Sequence, residues 1–104
     1  MKWTRYEILL PLCYNDGRLI EPVNFDLTNL ELMERFSATT TDMITAVGSW
    51  KYQGTVYEDQ LLRLVVNIPT SVSADEFFDG YKEILKTRFQ QIDSWTTSHE
   101  IRII

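Results

Sequence analysis

Residues 73–104 constrain the fold most, because they predict a long amphipathic helix followed directly by a strand. Ser73-Ala74-Asp75-Glu76 matches a capping box, in which the serine and glutamate side chains satisfy free N–H groups at a helix start. Apolar residues then recur at helical spacing until the helix ends near Gln91: Phe77, Phe78, Tyr81, Leu85 and Phe89. Residues 92–104 are predicted to close the fold as a strand, so these two elements form a large share of a small domain.

Two other segments alternate apolar and polar residues, which indicates strands with one buried face. The first covers residues 5–12 and places Tyr6, Ile8, Leu10 and Leu12 on one side. The second covers residues 61–68, places Leu62, Leu64, Val66 and Ile68 on one side, and ends at Pro69. Between them, residues 43–50 predict a further strand, and residues 50–57 predict a hairpin with Gln53-Gly54 at its tip.

A second capping box, Thr28-Asn29-Leu30-Glu31, predicts a short helix that begins at Thr28 and ends near Ser37. Residues 19–24, which contain Pro22 and precede this helix, are predicted to form an irregular connection. Leu30, Met33 and Phe36 recur at helical spacing, and Leu32 widens this stripe, so we expect this side of the helix to face the core.

The predicted order is strand, helix, strand, strand, helix, strand, which indicates an α+β fold. The expected architecture is a ferredoxin-like βαββαβ sandwich, with a four-stranded antiparallel sheet and both helices on one face. The length of 104 residues fits a single domain spanning residues 1–104. We expect the first and third strands to lie side by side at the centre of the sheet. We expect the core to contain Ile8, Leu10, Leu64, Val66, Leu85 and Phe89.

The composition argues against several classes of function. The net charge is −5, with 15 acidic and 10 basic residues and no basic run, which disfavours a nucleic-acid partner. The single cysteine, Cys13, excludes an internal disulfide and a multi-cysteine zinc site, and is expected to pack as a small apolar residue. The alternative is a thiol nucleophile, for which His99 would be the base. No apolar run approaches the roughly 20 residues of a membrane helix, and no signal peptide is visible, so we expect a cytoplasmic protein without membrane contact.

His99 is the one histidine, and it lies on the predicted last strand beside Glu100. It is the candidate general base or metal ligand, with Asp59 as a further possible partner. A lone histidine lacks the spacing of a metal site, so we predict no metal and no cofactor, and we weigh a solvated edge-strand histidine against the catalytic role. Arg88 is a candidate for anchoring an anion, or for binding an acidic neighbour or the helix carbonyls.

Three aromatic residues, Trp50, Tyr52 and Tyr57, cluster on the predicted hairpin. They are candidate contacts for a small molecule or a protein partner, because aromatic residues anchor interfaces. The structural alternative is cross-strand pairing that stabilises the hairpin. Arg63 and Trp95 complete the set of candidate ligand- or partner-binding residues.

The sheet face opposite the helices is predicted to be partly apolar, and carries Leu9, Leu61 and Val65 with Arg5, Glu7 and Arg63. Such a patch is typical of an association surface. No phosphate loop, GxSxG, HExxH or CxxC motif is present. We therefore expect a binding domain that acts as a homo-oligomer. The alternative is a small cofactor-free isomerase or oxygenase of the dimeric α+β barrel kind, with His99, Arg63 or Tyr52 in a cleft between sheet and helices.

Three stretches carry a resemblance to a known class of protein. They are Tyr6-Glu7-Ile8-Leu9-Leu10-Pro11-Leu12, Tyr14-Asn15-Asp16-Gly17, and Tyr81-Lys82 with Arg88-Phe89-Gln90-Gln91. With them, the chain resembles small uncharacterised bacterial proteins of ferredoxin-like type. This resemblance implies the fold and no activity.

Overall fold

A computed structural model describes residues 2–104, with side chains described outside positions 41–50 and 57–59. The elements are β1 (Trp3–Pro11), α1 (Pro22–Phe36), β2 (Thr40–Tyr52), β3 (Thr55–Pro69), α2 (Val72–Arg88) and β4 (Trp95–Ile101). This order confirms the predicted α+β class with two helices. Over the described residues, neither helix is long and apolar enough to cross a membrane.

The strands pair antiparallel and lie in the order β2-β3-β1-β4. The first and third strands are therefore neighbours, as the sequence predicts. Ile8 lies opposite Leu64 and Leu10 lies opposite Leu62, so the apolar faces of β1 and β3 coincide. Strands β2 and β4 form the two edges of the sheet.

Both helices pack against this apolar face of β1 and β3. The predicted core residues are all buried in one cluster: Ile8, Leu10, Leu64, Val66, Leu85 and Phe89. Aromatic rings join strand to helix, since Tyr6 stacks on Phe78 with ring centroids 4.0 Å apart, and Phe78 stacks on Phe36 at 5.3 Å. The alternating pattern of the strands thus identified the core correctly.

The predicted start of α1 is wrong by nearly two turns. The helix begins at Pro22, with Glu21 as the residue before its first turn. Proline suits the first helical position, because its missing N–H has no partner there and its fixed φ is helical. Thr28 lies inside the helix, where its hydroxyl donates to the Asn24 carbonyl at 2.7 Å.

The predicted core face of α1 is also wrong in part. Leu30 and Met33 are 51% and 45% exposed, whereas Leu32 is fully buried as predicted and Thr28 is fully buried as well. Phe36 is half-buried against the core, as expected. The helix therefore turns Thr28, Leu32 and Phe36 toward the core, and Leu30 and Met33 lie outside it.

The last two elements differ from the prediction only at their ends. Ser71, rather than Ser73, caps α2, and its hydroxyl accepts a hydrogen bond from the Ala74 N–H at 3.1 Å. The helix ends at Arg88 instead of near Gln91, and β4 is limited to Trp95–Ile101. The segment between them is a turn in which Gln90 adopts a positive φ of 51°.

The predicted hairpin connects β2 and β3, with Gln53 and Gly54 at its tip. Their φ angles are 48° and 80°, so both residues of the two-residue loop are left-handed. This is the backbone of a type I′ turn, which matches the twist of paired strands and favours glycine. The prediction for residues 50–57 is confirmed.

Candidate functional site

The candidate surface is the outer sheet face, which we define as the face of β1, β3 and β4 opposite the helices. Directly opposed residues of antiparallel strands point to the same face. The register therefore places three rows across this face: His99, Arg5 and Asn67; Thr97, Glu7 and Val65; and Trp95, Leu9 and Arg63. The sequence predicted the members from β1 and β3, and pairing adds those from β4.

The charged groups of the outer sheet face are paired with their neighbours. The Arg5 Nε donates to the Asn67 Oδ1 at 2.8 Å. The Arg63 Nη1 lies 4.0 Å from the Glu7 Oε2, and these side chains are 33% and 24% exposed. The outer sheet face thus carries two arginines and one carboxylate, and each has a polar partner on the neighbouring strand.

The apolar part of this face is less exposed than the sequence predicts. Val65 is only 7% exposed, and Leu9 and Leu61 are half-buried. Trp95 lies directly opposite Leu9 and is 62% exposed. The accessible apolar surface is therefore concentrated at the β4 edge.

His99 is exposed on β4, opposite Arg5. Four residues separate it from Trp95, which corresponds to roughly 13 Å along the strand. Cys13 lies beyond the other end of β1, in a bridge with Leu19. The stretch of β1 from Arg5 to Pro11 alone spans about 20 Å, so His99 and Cys13 do not form a nucleophile–base pair.

The hairpin aromatics form a separate group. The side chains of Trp50 and Tyr57 lie outside the described residues, as does that of Asp59, although the Trp50 and Tyr57 backbones are paired. Tyr52 is 42% exposed and lies opposite Thr55 at the hairpin end. Eight residues of β3, or about 27 Å, separate Thr55 from Arg63. Tyr52 and Arg63 therefore do not line one site.

The sequence predicts His99, Arg63 and Tyr52 in a cleft between sheet and helices, and two of these three residues lie elsewhere. His99 and Arg63 lie on the outer sheet face, and apolar core residues fill the space on the helix side. His99 and Arg63 therefore do not line a cleft between the sheet and the helices.

A cluster that bridges the two helices contains Arg88, Glu31, Thr28 and Tyr81. The Arg88 Nη1 donates to the Glu31 Oε1 at 2.5 Å and to the Thr28 Oγ1 at 2.8 Å. The Tyr81 hydroxyl donates to the Glu31 Oε1 at 3.1 Å. The sequence predicted an acidic neighbour for Arg88, but Thr28 was assigned to a helix cap, so the cluster itself was missed.

Burial and the contacts among its members together set the pKa values of the bridging cluster. Burial and the Glu31 carboxylate raise the pKa of Tyr81 to about 12, against the opposing effect of Arg88. Burial disfavours the charged form of Arg88, yet its hydrogen bonds to Glu31 and Tyr81 raise the pKa of Arg88 above its ordinary value. Both groups keep their protonated forms at neutral pH, which makes the cluster a structural tie between helices.

A second phenol lies near the first turn of α2. The Tyr6 hydroxyl donates to the Asp75 carboxylate, and burial together with this hydrogen bond raises the pKa of Tyr6. This contact ties β1 to α2 beside the Tyr6–Phe78 stack. Within the part of the chain that the structure describes, no three His, Cys, Asp or Glu residues group as a metal site.

These features define a small α+β protein with an antiparallel sheet, two helices on one side and an outer face of paired charges. A solved structure of this class is the divalent cation tolerance protein CutA1 from Thermus thermophilus, to which the chain is similar with a TM-score of 0.65 and 18% identity. The match covers 99% of this chain and 86% of CutA1. At that identity the likeness shows the fold alone. No protein-family model and no curated protein matches the chain.

Proposed function

We propose that this chain is a ferredoxin-like, single-domain binding protein of the cytoplasm that acts as a homo-oligomer and has no chemistry of its own. The βαββαβ order and the strand order β2-β3-β1-β4 support the ferredoxin-like assignment. The likeness to CutA1, whose name describes divalent cation tolerance, supports a small binding protein. The partner we favour is a second copy of this chain, with small molecules and other proteins as further ligands.

The observation that carries the proposal is Trp95 on the edge strand β4. Trp95 is 62% exposed, and β4 pairs with β1 on one side only within residues 2–104. An edge strand presents backbone N–H and C=O groups to a further strand, and an exposed tryptophan supplies a contact of the kind that dominates interface energies. A second copy can satisfy both features at once.

The paired charges on the outer sheet face are compatible with this mode of association. Glu7 and Arg63 neutralise each other locally, so two copies can approach without placing like charges in contact. Thr97, His99 and Trp95 then offer side chains along the same edge. Interfaces typically combine such a polar rim with a buried aromatic anchor.

Sedimentation velocity over a wide range of concentrations tests this proposal. We expect an oligomer for the native chain and a shift toward monomer for Trp95→Lys and Thr97→Lys, because lysine on an edge strand blocks strand addition. The loss of a tryptophan anchor alone should weaken association by about tenfold or more.

Ile84→Lys is the matched control, since Ile84 is 48% exposed and belongs to α2 rather than to the β4 edge. It should associate like the native chain, and far-ultraviolet circular dichroism should show that all three variants are folded. A strict monomer at every concentration, or an oligomer that both β4 variants leave intact, refutes the proposal.

A further inference from the structure

An exposed apolar stripe runs along the outside of α1. Val23, Leu27 and Leu30 are 64%, 43% and 51% exposed. At 3.6 residues per turn they fall within an arc of about 60°, opposite the fully buried Thr28 and Leu32. We call these three residues the α1 stripe. A helix of a soluble protein normally exposes polar residues there, so the stripe is a candidate docking surface.

Carboxylates border the α1 stripe. Asp26 and Glu34 are both exposed on α1. The basic residue in the last turn, Arg35, turns toward α2, where its Nη2 donates to the Ser73 Oγ at 3.0 Å. The α1 stripe is therefore an exposed apolar surface with carboxylates at its border.

We propose that the α1 stripe binds a basic amphipathic helix of a partner protein. Positions i, i+4 and i+7 are the spacing at which one helix packs along another. A partner helix with Leu or Ile on one face and Lys or Arg beside it would bury Leu27 while its cations meet Asp26 and Glu34. The carboxylates at its border give the surface its preference for a basic partner.

Charge also distinguishes this occupant from two others. A second copy of the chain carries the same carboxylates on its own α1, so α1-to-α1 contact would bring Asp26 and Glu34 of both copies together. An anionic lipid surface is disfavoured for the same reason. The α1 stripe also lies on the far side of the molecule from the outer sheet face, which makes it independent of the proposed oligomer.

The test uses a synthetic peptide of about 18 residues, or five helical turns, with leucine at helical spacing and lysine elsewhere. One control peptide replaces lysine with glutamate and keeps the apolar face. A second keeps the composition but scrambles the order, so that the apolar face is lost. Calorimetry measures affinity, and amide chemical shifts of the isotopically labelled native chain locate the binding surface.

We expect the lysine peptide to shift amides of α1 and the two control peptides to bind at least about tenfold more weakly. Leu27→Asp, and separately the double change Asp26→Lys with Glu34→Lys, should each weaken binding by a similar factor. The matched control is Val72→Asp, because Val72 is 74% exposed on α2 and outside the stripe.

Three results would overturn the proposal. The first is equal affinity for the scrambled peptide, which would reduce the effect to net charge. The second is chemical shift changes away from α1, or binding that Leu27→Asp leaves unchanged. The third is self-association of the native chain that Leu27→Asp abolishes, which would make a second copy the occupant.

Discussion

Removal of the Arg88 guanidinium should show how strongly the bridging cluster ties α1 to α2. Arg88 is 12% exposed at its side chain and Glu31 is 35% exposed, and their closest atoms are 2.5 Å apart. Arg88→Met keeps the apolar stem along the core but removes the cation and its hydrogen bonds to Glu31 and Thr28. Glu31 then retains one partner in the cluster, the Tyr81 hydroxyl.

The expected loss follows from this geometry. Removing one partner of a fully buried ion pair costs about 3–5 kcal/mol of stability, because the remaining charge is left uncompensated. Water reaches Glu31 here, so its carboxylate is partly rehydrated, and we expect Arg88→Met to lower the free energy of unfolding by about 1–3 kcal/mol. For a domain of this size, each kcal/mol corresponds to about 4–8 °C in Tm.

A double-mutant cycle in urea isolates the interaction. Arg88→Met and Glu31→Met are made singly and together, and the double variant should lose less than the sum of the single losses by about 1–2 kcal/mol. The exposed Asp16–Arg18 pair is the control, and its cycle should show no measurable coupling because solvent screens it. Additive single losses at Arg88 and Glu31 would refute the view that this pair joins the helices.

Two further predictions test the core and the buried phenol. Phe89→Ala should lower the free energy of unfolding in urea by about 3–5 kcal/mol, since Phe89 is 1% exposed, whereas Ile84→Ala at an exposed position should cost less than about 1 kcal/mol. The pKa of Tyr81 is raised from its ordinary value of 10.0 to about 12 by burial and by Glu31, so the stabilisation by the neutral phenol is complete below pH 10 and is lost as the pH rises toward 12. Tyr81→Phe should therefore lose less stability than the native chain over that window in urea titrations, and equal losses would contradict the raised pKa.

The sheet could be predicted from sequence because its signal is periodic. In β1 and β3, Ile8 and Leu64 belong to alternating patterns that can satisfy only one register with both apolar faces buried. The hairpin was equally clear, since Gly54 supplies the positive φ that a two-residue turn requires. The alternation within each strand and the turn residues of the hairpin are local signals, which a sequence displays directly.

The predicted start of the first helix was wrong because the same local motif fits two structures. Thr28 and Glu31 match a capping box, but the Thr28 hydroxyl instead bonds back to Asn24 inside a longer helix. The Glu31 side chain meets Arg88, which is distant in sequence and close only after folding. Pro22 was the signal that could have located the true start, since proline is favoured at the first helical position.

The wrong start of α1 also prevented the α1 stripe, the proposed docking surface, from being recognised in the sequence. A helix beginning at Thr28 leaves Val23 and Leu27 in a connection, where exposed apolar residues indicate little. A helix beginning at Pro22 places them in line with Leu30, outside the core and beside Asp26. Because β4 and α1 lie on opposite sides of the sheet-and-helix sandwich, association through Trp95 would leave the stripe accessible in every copy. Trp95→Lys should therefore abolish the oligomer without changing peptide binding per chain, and Leu27→Asp should have the reverse effect.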